Sequence, residues 1–505
     1  MKVNKFFSLL SLAAVALIAT GCQDTDAQID IKPTTAPKFV SSTPDDTDAL
    51  LFGYKTIQIE FDKNIGFATK NTSKITLNGT PVAKASVIGI SNILTIETNV
   101  DFTEKQVLHI PAGLIVGPQK LVYEKDIDIT WQPSELTGDN PAVIMTKKLG
   151  WGWNLGNHFD TSDVTWGYWD GATPTAATFQ AVAAAGGKTV RIPVTWTCHM
   201  DATNTIDAAY LDEVAGVVDL AIAAGLNVIL NTHHDSFETD LGNAANNDSI
   251  ARVDSALIAT LWTQVATKFA AYGENLIFET FNEVHAGDNW GSGSEAENAL
   301  LNQWNLYAVK AIRSVAGNEN RWIGISHYAA NIDQTIANLV LPEGDSHIMV
   351  GVHCYDPYNF CLAPSASDVN SWGHNADPNH SVAGANEEYV IEQLYKLRKA
   401  YISKGIPCYL GEYGCVWQTT EQANAFRKYY LEFFCRAAWL AGIPMFVWDN
   451  NSKGAGNEAN GYIDHATGAW VNDSETMVPA MVKACTDTDT NYWFDTIWAK
   501  SPTLE

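Results

Sequence analysis

Along residues 37–131, apolar and polar positions alternate in short runs: TIQIEFDKNI, SKITLNGTPV, NILTIETNV, QVLHIPAGLI and DIDITW. A period of two turns one face of each run toward a core and the other toward water. Turn signals such as NGT and PAG separate the runs, so residues 36–131 predict a small β-sandwich. The pattern then changes. Short apolar runs ending in polar or aromatic residues alternate with Ala-rich stretches of helical period. Eight strands are predicted: 149–157, 188–196, 227–235, 276–284, 321–329, 348–356, 407–415 and 444–451, with helices such as 208–225 and 425–442 between them. That alternation implies a parallel sheet covered by helices, and eight repeats imply an α/β fold of (β/α)8 TIM-barrel type over residues 142–505. A doubly wound sheet is the rival fold, but no G-x-G-x-x-G follows the first strand. Between the two patterns, QPSELTGDNP (132–141) has the composition of a linker.

The first 22 residues follow neither pattern. Lys2 and Lys5 precede an apolar run from Phe6 to Ala19, and small residues lead to Cys22. This is a secretory signal, too short to span a membrane. Its end, ATGC, resembles a bacterial lipobox, although Ala19 stands where Leu is more usual. The resemblance implies a lipidated Cys22, a tether over 23–35 and an outer-membrane lipoprotein facing outside. Secretion after ordinary cleavage is the alternative. The QDTD that follows resembles surface-export signals of Bacteroidetes-type lipoproteins.

Composition narrows the substrate. With 31 Lys and Arg against 57 Asp and Glu, the net charge of −26 argues against nucleic acid and favours uncharged ligands. All 17 Trp but Trp131 lie after residue 140; flat indoles suit both cores and sugar-stacking surfaces. Beyond Cys22 the cysteines are odd in number and form no CxxC pair, so neither a disulfide framework nor a zinc site is expected.

The predicted strands place chemistry at their C-terminal ends, where barrel enzymes build their sites. Asn157, Arg191, His233, His234, Asp235, Asn282, Glu283, His353, Tyr355, Glu412, Tyr413 and Trp448 all fall there. The run LIFETFNEVHAGDNW holds two acids. Glu279 is expected about 13 Å deeper along the strand than Glu283, as a hydrogen-bonded member of the barrel interior. Glu283, at the mouth, can reach a substrate. Its counterpart is Glu412, and two such carboxylates suit cleavage of a glycosidic bond by acid/base and nucleophile.

The motifs FNEV, LGEYG, RIPVTW, LNTHHD, VHCYDPY and FVWDNN together resemble glycoside hydrolase family 5, most closely its subfamily 4, rich in endo-β-1,4-glucanases. The resemblance implies Glu283 as acid/base, Glu412 as nucleophile and Asn282 as partner of the substrate 2-hydroxyl. It further implies Arg191 and Tyr355 beside the nucleophile, His233 and His353 as a polar wall, Trp448 as stacking platform, and Asn157 and His234 as sugar contacts. Val284 stands where many members carry Pro. Residues 36–131 resemble bacterial Ig-like domains in IEFDKNI and ITLNG, and their few aromatics favour a spacer over a sugar-binding module. Trp166, Trp169, Trp290 and Trp417 are candidate sugar platforms; Trp196 and Trp322 are expected in the core.

The expected activity is a monomeric, cofactor-free retaining endoglucanase acting on cellulose-type or mixed-linkage β-glucan. Xyloglucan is the alternative substrate, and β-mannan ranks lower. A metal-dependent barrel hydrolase is disfavoured because the first strand carries no H-x-H. A non-catalytic glycan-binding lipoprotein is disfavoured because both carboxylates are present.

Overall fold

A computed structural model describes residues 35–45, 54, 56–98, 105–133, 136–163, 167–489 and 492–504. The signal segment, Cys22, nearly all of the proposed tether and Trp166 lie outside the described residues. Eight parallel strands close into a barrel: β1 Trp151–Asn154, β2 Thr189–Ile192, β3 Asn227–Asn231, β4 Leu276–Glu279, β5 Ile323–Ile325, β6 Ile348–Cys354, β7 Cys408–Tyr413 and β8 Met445–Val447. Closure comes from β1 pairing in parallel with β8, Trp151 opposite Met445 and Trp153 opposite Val447.

Nearly every strand residue is buried, because one face points into the barrel and the other under the helices. Each strand lies within its predicted segment, and most stop short of the polar residues. In β4 the last strand residue is Glu279, so Thr280 to Glu283 climb out of the barrel as loop. The barrel bottom is plugged by Ile229, Ile277, Met349, Tyr409 and Phe446 against Met145 and Leu149 of a helix at Pro141–Leu149. That helix begins inside the predicted linker: Pro141 occupies its first turn, and Asn140 caps it by accepting from Ala142 N at 2.8 Å. Outer helices start in the same way, for example Ser294 with Glu297 in a reciprocal capping box.

Among the described residues, the N-terminal strands form two four-stranded sheets and one two-stranded pair around one apolar core, with Ile57, Ile59, Phe61, Leu94, Leu108 and Trp131 at its centre. This region touches the barrel. Thr56 Oγ1 donates to Glu388 at 3.1 Å, and Tyr395 packs against the N-terminal core.

Candidate active site

The site stands on a buried cation. Arg191, from β2, has no solvent exposure, so each of its five N–H donors needs a partner. Nε and one Nη2 donor reach Glu279, the latter at 2.7 Å, and Nη2 also reaches Asn282 Oδ1 at 2.8 Å. Nη1 donates to Asn154 Oδ1 at 3.1 Å and to Glu412 Oε1 at 2.7 Å. Burial acts to lower the guanidinium pKa, and the charges of Glu279 and Glu412 more than reverse it. Glu279 accepts further bonds from Asn231 Nδ2 at 2.9 Å and Tyr409 OH at 2.7 Å. It is thus a hydrogen-bonded interior group. One side chain joins this interior acid to the mouth of the barrel, because Arg191 touches Glu279, Asn282 and Glu412 at once.

Above this floor, Glu412 accepts from Tyr355 OH at 3.0 Å through Oε2. Burial pushes its carboxyl upward, but the charges of His353 and Arg191 and the bonds from Arg191 and Tyr355 outweigh that and hold it below the usual range. Glu412 is therefore ionised. Glu283 Oε1 lies 2.6 Å from His353 Nδ1. Burial alone would lower the His353 pKa; Glu412 and Glu283 raise it instead. One oxygen of Glu283 and one of Glu412 lie within 4.8 Å of each other.

A bulge aims Glu412. Val352 of β6 pairs with Leu410 of β7, yet the next residue, His353, pairs with Glu412, leaving Gly411 as the extra residue. A Cβ on Gly411 would sit 3.0 Å from His353 Nε2. Gly411→Ala is expected to push His353 off both carboxylates and lower kcat/KM about tenfold. Thermal melts beside steady-state kinetics check that the loss is local.

The walls carry the remaining predicted residues. His233 is buried and its ring stacks parallel to Trp448 at 5.8 Å, with 6° between the planes. Burial, aided by the nearby charges of His234 and Arg191, drives its pKa well down, so it is a neutral imidazole. Asn157 takes a left-handed φ of 60°, and its N–H donates to Asp160 Oδ2 at 2.9 Å. A cleft of about 790 Å³ is lined by Asn157, His233, His234, Glu283, Tyr355, Glu412 and Trp448 together with Trp169 and Trp290. Arg191, Asn282 and His353 support it from beneath.

Two strand-end residues turn away. Asp235 caps the chain at Trp196 N and Thr197 N, at 2.8 and 2.7 Å, and Tyr413 OH accepts from Trp151 Nε1 at 2.8 Å. Trp417 is not a cleft platform. It is buried, donates to Gly461 O at 2.7 Å and lies under the Arg427 guanidinium at 3.9 Å. Trp196 is fully buried, whereas Trp322 is half-buried at the barrel bottom. Sequence reasoning missed Tyr358, Asn450, Glu458 and Asn460, which also line the cleft.

A latch under Trp448 was equally invisible. Asp449 accepts from Trp153 Nε1 at 2.7 Å and from Tyr462 N and Ile463 N at 2.9 Å. His465 Nδ1 meets Asp170 Oδ2 at 2.7 Å, and its Nε2 is 3.4 Å from Asp449 Oδ1, an ion pair rather than a well-formed hydrogen bond. Burial opposes the charge on His465, yet the two carboxylates push its pKa up to about 9. This cation ties the loop after β1 to the loop after β8 that carries Trp448.

Glu283, His353 and Glu412 could in principle hold a cation, as could Asp160, His233 and His234. In the first set the Glu412 oxygens are already taken by Arg191 and Tyr355, and the guanidinium would repel an ion. In the second, His234 already engages Glu238 at 2.9 Å through Nδ1. The donor sets fit proton transfer better than metal ligation.

The family model for cellulase, glycosyl hydrolase family 5, matches residues 152–454. Endoglucanase A of Clostridium longisporum is 31% identical over 348 residues, which cover 65% of this chain and 63% of that enzyme's length. A GH5-4 broad specificity endoglucanase from Bacteroides salanitronis is 38% identical with a TM-score of 0.65, covering 70% of this chain and 97% of the other. A glycoside hydrolase 5 lichenase from Caldicellulosiruptor sp. F32, solved with cellotetraose, is 30% identical with a TM-score of 0.63, covering 70% of this chain and 97% of its own. The family match takes in more than half of the 505 residues and spans the strand ends that carry both carboxylates, and on that ground the chain belongs to glycosyl hydrolase family 5.

Proposed function

We propose that the chain is a retaining endo-β-1,4-glucanase of cellulose-type and mixed-linkage β-glucans, with Glu283 as acid/base and Glu412 as nucleophile. The carrying observation is the approach of the two carboxylates to within 4.8 Å. A retaining pair lies about 5–5.5 Å apart and an inverting pair about 6.5–9.5 Å apart, to admit a water. Ionised Glu412 attacks the anomeric carbon while Glu283 protonates the departing glycosidic oxygen. Glu283 then takes a proton from water, which cleaves the glycosyl–Glu412 ester with net retention.

Asn282, held by Arg191, is placed to bind the 2-hydroxyl, and His233 with Trp448 walls the adjoining sugar. Exposed Trp169 and Trp290 extend the cleft with flat faces suited to further glucose units. Incubation with soluble mixed-linkage glucan is expected to release oligosaccharides whose new reducing ends are first β, as read by NMR. Release of glucose alone, or of α-anomers first, would refute the reading.

The lining residues of the cleft all fall between Asn157 and Asn460, which suits a spacer role for the N-terminal sheets. We place the enzyme on the cell envelope through Cys22. Cys22→Ser is expected to move it from the membrane fraction to the soluble fraction of its host.

A further inference from the structure

Glu238 is a buried carboxylate on the loop after β3 that the reaction above leaves unused. Its Oε2 lies 2.9 Å from His234 Nδ1, and its Oε1 accepts from Asn282 Nδ2 at 3.3 Å. Its own carbonyl accepts from His285 N at 2.9 Å, which joins this loop to the one that carries Glu283. One side chain therefore grips a cleft-lining ring and an amide beneath the cleft, on different strand ends. Asn282 Oδ1 is already taken by Arg191, so the amide is fixed at both atoms, with one N–H left to offer. With Nδ1 of His234 committed to Glu238, Nε2 is the ring's remaining donor, and the ring stands 37% exposed on the cleft wall.

We propose that Glu238 is a positioning residue for glucan binding, holding the His234 ring and the Asn282 amide so that both point donors at hydroxyls of the same bound sugar. The inference rests on the glucanase reading of the cleft. The charge of His234 follows from its surroundings. Burial lowers the pKa of the ring, but the Glu238 bond and the charges of Glu238, Asp160 and Glu283 raise it to about 9. His233, whose ring meets it edge-on at 4.4 Å, is neutral. An imidazole of ordinary pKa, about 6.5, loses its proton before neutrality. His234 instead keeps a charged donor until the pH passes about 9, and a charged donor binds a hydroxyl roughly twice as strongly as a neutral one.

The test is Glu238→Gln, which keeps the shape and removes the charge. The unmodified enzyme is expected to hold a level KM for mixed-linkage glucan from pH 6 to 8. In E238Q the KM should climb about fivefold over that interval, with kcat within about twofold, as a charged hydrogen bond becomes a neutral one. In a His234→Gln background, which has no ring to titrate, E238Q should add no pH-dependent step. If E238Q does not fold, the His234 ring of the unmodified enzyme carries the test by NMR: no titration is expected between pH 6 and 8, and an ordinary midpoint of about 6.5 would overturn the proposal. A KM profile for E238Q superposing on that of the unmodified enzyme would overturn the proposal. So would equal losses in kcat and KM at every pH with a lowered Tm, the mark of a merely structural group. If the unmodified chain turns over no β-glucan, the glucanase reading itself fails, before any variant is compared.

Discussion

Glu412→Ala is expected to lower kcat on β-glucan by about 10⁴-fold or more, since no covalent intermediate can form. The fold should persist, because Arg191 keeps Glu279 as its ion-pair partner at 2.7 Å. Glu283→Ala is expected to cost about 10²–10⁴-fold, and much less on an aryl glycoside whose phenolate leaves without a proton. Azide separates the two roles. In E283A an activated substrate still forms the glycosyl–Glu412 ester, and azide displaces Glu412 from the opposite face to give a β-glycosyl azide. In E412A azide enters the vacated space and attacks the substrate directly, Glu283 protonates the leaving oxygen, and the product is an α-glycosyl azide. NMR of the two azides reads the result. Swapped products would exchange the roles of the two residues, and near-native turnover by either variant would remove that residue from the chemistry.

How much of this was legible in the chain depends on whether a contact is local. The barrel was readable because each strand and its helix repeat one apolar pattern, and the strand-end residues were readable because polar groups at the end of an apolar run stand out. Glu283 and Glu412 stood out on that basis as strand-end carboxylates, and their separate roles came from the family resemblance. The rest of the cleft and its supports are another matter. His465 lies 295 residues from Asp170, and Asn450, Glu458 and Asn460 belong to a loop with no periodicity. Glu238 sits in THHDSFE, where its spacing of four from His234 could have been noticed, but its second partner, Asn282, is 44 residues away. Trp417 misled for the opposite reason. It follows the end of β7 as a cleft residue would, yet the loop turns outward there, and Arg427 of the helix Glu421–Ala441 covers the indole. The bulge at Gly411 is a register shift between two strands, which neither strand shows alone.

Arg191→Met is the second large effect, and it should fall on stability and catalysis together. The substitution leaves Glu279 and Glu412 buried with no guanidinium between them. Removing one partner of a buried ion pair costs about 3–5 kcal/mol, here read as a lowered Tm and denaturation midpoint. Glu412 would lose one of the two charges that hold its carboxyl low, with His353 remaining. The sign follows from linkage. A depressed carboxyl stabilises the fold above its unfolded pKa of about 4.3, and that contribution disappears as the pH falls through the folded value. Without Arg191 the folded value rises, so the acid limb of the pH–rate profile should move toward neutrality and the acid stability advantage should shrink. Arg191→Lys keeps the charge but offers three donors where five are used, and should lie between the two in both measurements. Adding Glu279→Gln to Arg191→Met removes the deeper buried charge and should recover part of the lost stability. It should recover none of the activity, because Glu412 and Asn282 would still lack the group that aims them. Recovery of activity by that double variant would mean that Arg191 serves the fold and leaves the chemistry to its neighbours.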